Sequence, residues 1–287
     1  MLWKNNRLSD LKRSYISELA SIYGESESKQ QLNMLIDYFF GLSRSEQAVR
    51  YDFRLSESEM LRMHEAVKDL KRNKPIQYII GEAEFLDMRI KVNDNVLIPR
   101  PETEELIELI AKGEIGPNLN ILDIGTGSGC IALALAKNLD NARVSALDIS
   151  KNALKLADEN ARINKLEINF VSDDIHNPAI DWGHEFDVIV SNPPYIRRSE
   201  EGLMKANVLE YEPHIALFVE DGDPLLFYKA IVGFAAVNLK PGGRLYFEIN
   251  EALATDVKIM LEENSYNNVG VHKDINGKDR MVSALKA

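Results

Sequence analysis

The chain has 287 residues, of which 45% are hydrophobic and 28% are charged, and its formal net charge is −11. This composition is typical of a folded globular protein and excludes disordered, collagen-like and disulfide-rich chains. The length predicts about two domains. The acidic excess disfavours a general nucleic-acid-binding protein, because phosphate backbones repel acidic surfaces, although a local basic groove stays open.

The acidic excess is confined to one part of the chain. Residues 1–90 carry equal numbers of basic and acidic side chains, so the whole net charge lies in 91–287. The single cysteine, Cys130, can form no internal disulfide, which fits a reducing compartment. The sequence shows neither a signal-peptide core nor an apolar run long enough to span a bilayer. We therefore expect a cytoplasmic protein without membrane contact.

Residues 1–74 predict a small helical bundle. Apolar residues recur at spacings of three and four over 8–22 and again over 32–40, which is the pattern of amphipathic helices. Ser56 and Glu59 have the spacing of a capping box and predict the start of a third helix. No candidate catalytic residues stand out in this segment, so we interpret it as a small helical bundle. A role in docking a protein partner is compatible with that interpretation.

Residues 75–97 predict a β-hairpin that links two domains. Ile79 and Ile80 are expected in its first strand, and Gly81 and residues 93–95 in turns. From residue 98 onward, helical and strand patterns alternate, which predicts a largely parallel sheet covered by helices on both faces. The predicted helices cover 104–112, 130–137, 151–164, 225–239 and 251–263, and the predicted strands cover 120–124, 143–147, 168–172, 186–191, 244–248, 269–273 and 281–285, with a turn at 241–243.

A glycine-rich turn follows the first of these strands, with the sequence Gly125-Thr126-Gly127-Ser128-Gly129. Glycines permit a sharp turn and a close approach of ligand to backbone, and the helix that follows exposes free N–H groups at its start. The spacing is neither that of the dinucleotide fingerprint nor that of a phosphate-binding P-loop. It favours a nucleoside ligand that carries an amino-acid tail.

Acidic residues accompany this turn. Asp148 ends the second strand, where a carboxylate can accept both hydroxyls of a ribose. Asp173 and Asp174 end the third strand and are either an acceptor at an adenine edge or a solvated turn, and Asp123 either supports the loop or reaches the ligand's amino group. The arrangement resembles the class I S-adenosylmethionine-dependent methyltransferases. That resemblance implies a Rossmann-like seven-stranded α/β sheet with the cofactor beyond the carboxyl ends of its first strands.

The tetrapeptide Asn192-Pro193-Pro194-Tyr195 follows the fourth strand, at the same edge of the sheet. A planar amino nitrogen must localise its lone pair before it attacks a methyl group. The side-chain oxygen of Asn192 and the carbonyl oxygen of Pro193 can each accept one N–H and stabilise the developing positive charge. Tyr195 can stack on the flat group and hold it in line. We predict Asn192, Pro193 and Tyr195 as catalytic and all four residues as substrate-binding.

This tetrapeptide resembles that of methyltransferases acting on planar amino nitrogens, which include adenine-N6 and cytosine-N4 DNA enzymes and glutamine-N5 protein enzymes. Four further segments, 75–85, 97–104, 210–217 and 276–280, narrow the resemblance. Together with the helical N-terminal part, they resemble the peptide chain release factor N5-glutamine methyltransferase family over nearly the whole chain.

The resemblance implies methyl transfer from S-adenosylmethionine, giving S-adenosylhomocysteine, to the glutamine of the Gly-Gly-Gln loop of release factors. We expect a monomer with a helical docking domain (1–74), a hairpin linker (75–97) and a methyltransferase domain (98–287). The resemblance implies that residues 99–102 line the active site. No metal is expected, because the five histidines lack metal-ligand spacing. No nucleic acid is expected either, because of the acidic excess. The implied cofactor contacts are Gly125, Thr126, Gly127, Ser128, Gly129, Asp148, Asp174 and Asn192.

Three alternatives stay open. A sibling family methylates a glutamine of a large-subunit ribosomal protein, although the run 99–104 and the short N-terminal domain favour the release-factor family. A DNA amino-methyltransferase would need a basic DNA-facing surface, whereas the acidic excess lies in the catalytic part. A non-catalytic cofactor-binding scaffold is disfavoured by the intact tetrapeptide.

Overall fold

A computed structural model describes residues 6–113, 116–183 and 186–287. The chain divides into two compact units. The first comprises the chain up to Gly81 together with Ala206–Tyr211, and the second comprises Glu82–Lys205 and Glu212–Ala287. None of the helices in the described residues is long and apolar enough to cross a membrane.

The first unit is helical, as the apolar spacing predicts. Its long helical span is interrupted at Gly24, whose φ of 77° and ψ of 164° are not helical. The predicted capping box is present, since Ser56 N donates to Glu59 Oε2 at 2.7 Å and Glu59 N donates to Ser56 Oγ at 3.3 Å. Buried apolar side chains of these helices form one core. The helices are α1 (Leu8–Phe40), α2 (Arg44–Val49), α3 (Glu57–Leu70) and α4 (Ile76–Ile80), joined by the later helix Ala206–Tyr211.

The expectation that Ile79 and Ile80 lie in a strand is wrong. Both lie in α4, a single turn of helix that ends at Gly81, where φ is 84°. Ile76, Ile79 and Ile80 share one helix face and pack against the core of the first unit. Burial of that face outweighs the preference of β-branched residues for strands.

The hairpin itself is present in the second unit. Strand β1 (Glu82–Phe85) pairs antiparallel with β2 (Met88–Lys91). The two turn residues, Leu86 and Asp87, have φ angles of 44° and 56°. Positive φ at both positions is the requirement of a type I′ turn, whose twist matches that of the flanking strands.

The second unit is organised around alternating strands and helices. Its strands are β3 (Asn120–Ile124), β4 (Arg143–Asp148), β5 (Asn169–Ser172), β6 (Phe186–Ser191), β7 (Ile196–Arg197), β8 (Phe218–Val219), β9 (Leu239–Glu248), β10 (Tyr266–Lys273) and β11 (Asp279–Lys286). Its helices are α5 (Pro101–Lys112), α6 (Cys130–Asn138), α7 (Lys151–Asn164), α9 (Leu226–Asn238) and α10 (Ala254–Glu263), with α8 (Ala206–Tyr211) belonging to the first unit.

Seven of the strands form one sheet in the order β10-β11-β9-β6-β3-β4-β5. Strands β3, β4, β5, β6 and β9 are parallel, and β11 runs antiparallel to both β9 and β10. This confirms the predicted Rossmann-like, mostly parallel sheet of the class I methyltransferases. The strand expected from 244–248 extends back to Leu239, because residues 241–243 form an irregularity in the pairing with β6 rather than a separate turn.

The order of the strands fixes where a ligand can bind. The chain adds β4 and β5 on one side of β3 and then returns to place β6 on the other side. At such a switch point the loops leave β3 and β6 in opposite directions and open a crevice at the carboxyl edge of the sheet. The glycine turn follows β3 and the tetrapeptide follows β6, so both motifs lie at this crevice.

Candidate active site

A cavity of about 280 Å³ lies at the carboxyl ends of the central strands. It brings together the glycine turn, the acidic strand ends and the tetrapeptide, although these segments are far apart in the sequence. Gly129 and Tyr195 are not among its lining residues, because Gly129 caps α6 and the Tyr195 side chain packs against the core. The predicted site residues that line the cavity are Gly125, Thr126, Gly127, Ser128, Asp148, Asp174, Asn192, Pro193 and Pro194.

The glycine turn requires glycine for conformational reasons. Gly125, Gly127 and Gly129 have φ angles of 74°, 55° and 82°, which side-chain-bearing residues rarely adopt. A Cβ at Gly129 would also lie 3.1 Å from Cβ of Ala157, so α7 would have to shift to admit a side chain. The turn therefore presents backbone groups to the cavity.

Asp148 holds this turn and also lines the cavity. Its Oδ2 accepts a hydrogen bond from Gly127 N at 2.8 Å, and its Oδ1 accepts one from Ser150 N at 2.8 Å. Burial raises the pKa of Asp148, and these backbone N–H groups oppose the rise. Each carboxylate oxygen can accept more than one hydrogen bond, so capacity for ligand hydroxyls is left.

Asp123 lies beneath the turn and is fully buried. Its Oδ2 accepts hydrogen bonds from the Thr126 hydroxyl at 2.6 Å and from Ala132 N at 3.2 Å, whereas Oδ1 has no partner among the described residues. Burial raises the pKa of Asp123 from 3.8 to about 7. The bond to Thr126 gives it the supporting role that the sequence suggested, and contact with a ligand stays a prediction.

The two aspartates after β5 differ in their partners. Asp173 accepts hydrogen bonds from the backbone N–H groups of Asp174, Ala179 and Ile180, so it holds the loop in which it lies. Asp174 Oδ1 accepts from His176 N at 2.9 Å. Both line the cavity, and the loop-holding bonds of Asp173 leave Asp174 as the better candidate for a ligand contact.

Two residues of the tetrapeptide connect to one buried carboxylate. Asn192 Nδ2 donates to Thr103 Oγ1 at 3.3 Å, and the Thr103 hydroxyl donates to Glu248 Oε2 at 2.7 Å. The Tyr195 hydroxyl donates to the other oxygen, Glu248 Oε1, at 3.1 Å. Burial raises the pKa of both Glu248 and Tyr195, so the tyrosine keeps its proton. Stacking of the Tyr195 ring on a substrate stays a prediction.

A second buried carboxylate holds the wall of the cavity. Glu212 Oε1 lies 2.5 Å from Arg100 Nη2, and Glu212 Oε2 accepts from Ile98 N at 3.1 Å. The side chain of Glu212 is 1% exposed, whereas that of Arg100 is 31% exposed and lines the cavity. Arg100 is therefore anchored by a buried partner, which orients its guanidinium at the cavity.

Asn160 on α7 links the hairpin to the glycine turn. Its Oδ1 accepts from Lys91 N at 2.7 Å, and its Nδ2 donates to Lys91 O at 3.0 Å and to Ser128 O at 2.9 Å. Asn160 is fully buried. The hairpin thus packs on a helix that flanks the central sheet, and the same amide fixes strand β2 and the turn.

Sequence reasoning missed Thr103, Glu248 and Asn160. Glu248 ends a predicted strand and Asn160 lies inside a predicted helix, where neither residue belongs to a recognisable motif. For Glu248, the available signal was a carboxylate at the carboxyl end of an apolar strand, which is the edge of the sheet at which ligands bind. Ile149, which lines the cavity with 56% of its surface exposed, and Phe227 were missed because single apolar residues carry no functional pattern.

Comparison with known proteins agrees with this geometry. Residues 10–81 match the family described as PrmC N-terminal domain, and residues 102–210 match the Methyltransferase small domain family. A release factor glutamine methyltransferase from Flavobacterium psychrophilum is 46% identical over 286 residues, which covers 98% of this chain and 98% of that protein. The chain belongs to the release factor glutamine methyltransferase family.

Another member of the family agrees with the assignment, and a solved structure shares the fold. The release factor glutamine methyltransferase of Bacteroides thetaiotaomicron is 43% identical over 94% of this chain and 98% of its own length. A 16S rRNA methyltransferase of T. thermophilus, solved in complex with AdoMet and guanosine, shares the fold with a TM-score of 0.52. It is 20% identical and covers 72% of this chain and 50% of its own. Membership of the release factor glutamine methyltransferase family confirms the family and the enzyme class predicted from the sequence, an S-adenosylmethionine-dependent methyltransferase.

Proposed function

We propose that this protein transfers a methyl group from S-adenosylmethionine to N5, the side-chain amide nitrogen, of the glutamine in the Gly-Gly-Gln motif of a peptide chain release factor. The observation that carries the proposal is that one cavity is lined both by the glycine turn with Asp148 and by Asn192, Pro193 and Pro194. The first set suits a nucleoside donor and the second suits a planar amide. The shared name of the relatives supports release factors as the substrate.

The lining residues fit S-adenosylmethionine. The glycines of the turn allow close approach, and the free oxygen capacity of Asp148 suits ribose hydroxyls. Ile149 and Phe227 offer apolar walls to an adenine. When bound there, the cofactor supplies an electrophilic methyl group on a positively charged sulfur. The proposed cofactor-binding residues are Gly125, Thr126, Gly127, Ser128, Gly129, Asp148, Asp174 and Asn192.

The tetrapeptide prepares the glutamine amide for attack. Asn192 Oδ1 and the carbonyl oxygen of Pro193 each accept one N–H of the amide, which turns its lone pair out of conjugation with its own carbonyl. The same two oxygens stabilise the positive charge that develops on nitrogen. Pro194 and Tyr195 complete the binding site and hold the nitrogen in line. The extra proton leaves to water after the transfer, so the chain needs no dedicated base.

The same proposal extends to partners and domains. The helical segment 1–74 docks the release factor, the segment 75–97 links the two domains, and the segment 98–287 catalyses the methyl transfer. The enzyme acts as a monomer in the cytoplasm without direct contact with nucleic acid. The neutral balance of charge in residues 1–90 and the acidic excess beyond them support a protein substrate over a nucleic acid.

A labelling assay tests the substrate. Labelled S-adenosylmethionine is offered with purified release factor, with the same factor carrying a replaced loop glutamine, with ribosomal protein and with duplex DNA. We expect label on the unaltered release factor alone. Label on DNA or on ribosomal protein, or equal label on the factor without the glutamine, contradicts the proposal.

Substitution of Asn192 tests the mechanism. Asn192→Ala removes one of the two acceptors for the amide, so we expect turnover to fall by a factor of about 100 or more, the loss typical of a removed oxyanion-type partner. Binding of S-adenosylmethionine, measured by calorimetry, should weaken far less than turnover, because the other proposed cofactor contacts stay in place. Asn267→Ala, at an exposed position on β10, is the matched control. Unchanged turnover in Asn192→Ala would show that the amide is not held there.

A further inference from the structure

We propose that Glu248 is a positioning residue that sets the orientation of the Asn192 side-chain amide by way of the Thr103 hydroxyl. The proposal rests on the proposed function, in which Asn192 Oδ1 is the acceptor for the substrate amide. No site motif in the sequence includes Glu248 or explains why a carboxylate is fully buried at the end of β9.

The sheet brings these groups to one place. Strands β6 and β9 are parallel neighbours, and Ser191 pairs with Phe247, so Asn192 and Glu248 follow at the same level of the carboxyl edge. Thr103 comes from the first turn of α5 and is 2% exposed. It bridges the two, with its oxygen 3.3 Å from Asn192 Nδ2 and 2.7 Å from Glu248 Oε2.

The direction of these hydrogen bonds follows from the chemistry of the end group. The hydrogen bonds from Thr103 and Tyr195 and the charge of Arg280 favour the ionised form of Glu248 against the effect of burial. In that form the carboxylate can only accept, and a threonine hydroxyl has one proton to donate. Thr103 therefore donates to Glu248 and accepts from Asn192, which must turn its –NH2 toward Thr103. The carbonyl oxygen of that amide then faces away from Thr103 and is free for the substrate. A flipped Asn192 would set two acceptor oxygens against each other.

The surroundings of Glu248 preserve this direction. Its second oxygen accepts from the Tyr195 hydroxyl at 3.1 Å, so both oxygens are bound by donors. Burial raises the pKa of Glu248, and the hydrogen bonds from Thr103 and Tyr195 and the positive charge of Arg280 oppose that rise. Arg280 is itself fixed by a hydrogen bond to Ile249 O at 3.3 Å. Because each oxygen of Glu248 accepts from a hydroxyl donor, the carboxylate is a fixed end to the chain of hydrogen bonds.

The test compares two substitutions of Thr103. Thr103→Val keeps the shape of the side chain but removes the bridge, so Asn192 can flip, and we expect kcat to fall about tenfold (about 1.4 kcal/mol). Thr103→Ser keeps the hydroxyl and should restore most of that loss. KM for S-adenosylmethionine should change little, because a defect confined to the orientation of the amide acts on the transfer step. The melting temperature should fall, because Glu248 loses a buried donor, and kcat is therefore measured well below it. Thr255→Val, exposed on α10, is the matched control.

A second pair of variants tests Glu248 itself. Glu248→Gln leaves one acceptor oxygen for two hydroxyl donors, so kcat should again fall about tenfold. The double variant Thr103→Val with Glu248→Gln should lose no more than the larger single loss, because both act through one chain of bonds. If the losses in kcat of the two single variants multiply in the double variant, the proposal is overturned. Equal kcat values for Thr103→Val and Thr103→Ser would also overturn it. If instead Asn192→Ala keeps full turnover, it is the proposed function that fails.

Discussion

Three carboxylates around the cavity, Asp123, Glu212 and Glu248, are withdrawn from water. Each accepts hydrogen bonds from a different part of the site: the glycine turn, the wall at 98–100 and the tetrapeptide. Burying a carboxylate is costly unless donors compensate for the lost water. The shape of the site is therefore held by charge-assisted hydrogen bonds, and its stability depends on protonation.

Asp123 should make the protein less stable as the pH rises. Its pKa is about 7 in the folded protein and near 3.8 in an unfolded chain. Between these values the folded protein holds a proton that the unfolded chain has released, so the free energy of unfolding falls with rising pH. Asp123→Asn keeps the shape and lacks this titration. Its stability relative to the original should rise across pH 4 to 7 and then level off.

Urea unfolding at a series of pH values, without cofactor, measures this difference. Asp140→Asn, an exposed aspartate, is the control and should show no such trend. If the free energy of unfolding varies with pH in the same way for the original protein and Asp123→Asn, Asp123 is already ionised in the folded state across pH 4 to 7, which contradicts this prediction.

Gly129→Ala should distort the glycine turn and with it the proposed cofactor site. The position has a φ of 82°, and the new Cβ would lie 3.1 Å from Cβ of Ala157. The left-handed conformation alone costs about 1–2 kcal/mol, so the melting temperature should fall, and the displaced turn should weaken binding of S-adenosylmethionine. Gly222→Ala is the control, because that position lacks a positive φ and has open space. Equal thermal shifts for the two variants would contradict this account.

At the scale of elements, periodicity predicted most helices and strands because burial of a face repeats along the chain. The same reasoning failed at Ile79 and Ile80, where strand-favouring residues lie on a helix face that packs against the core of the first unit, to which that helix belongs. It gave no strand order, so Glu248 could not be placed beside Asn192. The bond from Thr103 to Glu248 joins residues 145 positions apart, and no local pattern encodes such a contact.

Asn160 should couple the hairpin to cofactor binding. Asn160→Ala removes bonds to both Lys91 and Ser128, so the glycine turn loses a fixed point and KM for S-adenosylmethionine should rise several-fold, in line with about 1 kcal/mol per lost bond. The control is Asn164→Ala, one turn later on α7, whose side chain bonds to Arg89 O but not to the turn. It should lower stability without raising that KM. A rise of the same size in both variants would assign the effect to the helix or the hairpin.

At the scale of the whole molecule, the division of the chain was only partly accessible from the sequence. The composition indicated a neutral first part and an acidic second part, but the first unit also contains α8, from much later in the chain. Tyr211 of α8 donates its hydroxyl to Arg72 O at 2.8 Å. A helix of six residues carries too little periodicity to show where it packs, so only the tertiary structure reveals this membership.

The first unit exposes apolar side chains that suit protein docking. Val49 and Tyr51 are 76% and 67% exposed and lie at the end of α2 and just beyond it. If the first unit docks the release factor, the double variant Val49→Ser with Tyr51→Ser should raise KM for the release factor about tenfold or more, since a buried aromatic at an interface often contributes about 2 kcal/mol. KM for S-adenosylmethionine should stay unchanged, because the proposed cofactor-binding residues all lie in the second unit.

Ile259→Ser, at an exposed apolar position on α10 of the second unit, provides the control for this docking prediction. Steady-state labelling with release factor as the varied substrate separates the two KM values. If KM for the release factor rises for Ile259→Ser and not for the double variant, the docking surface lies on the second unit instead. Equal rises in both KM values for the double variant would show a general loss of fold, because a docking contact acts on the protein substrate alone.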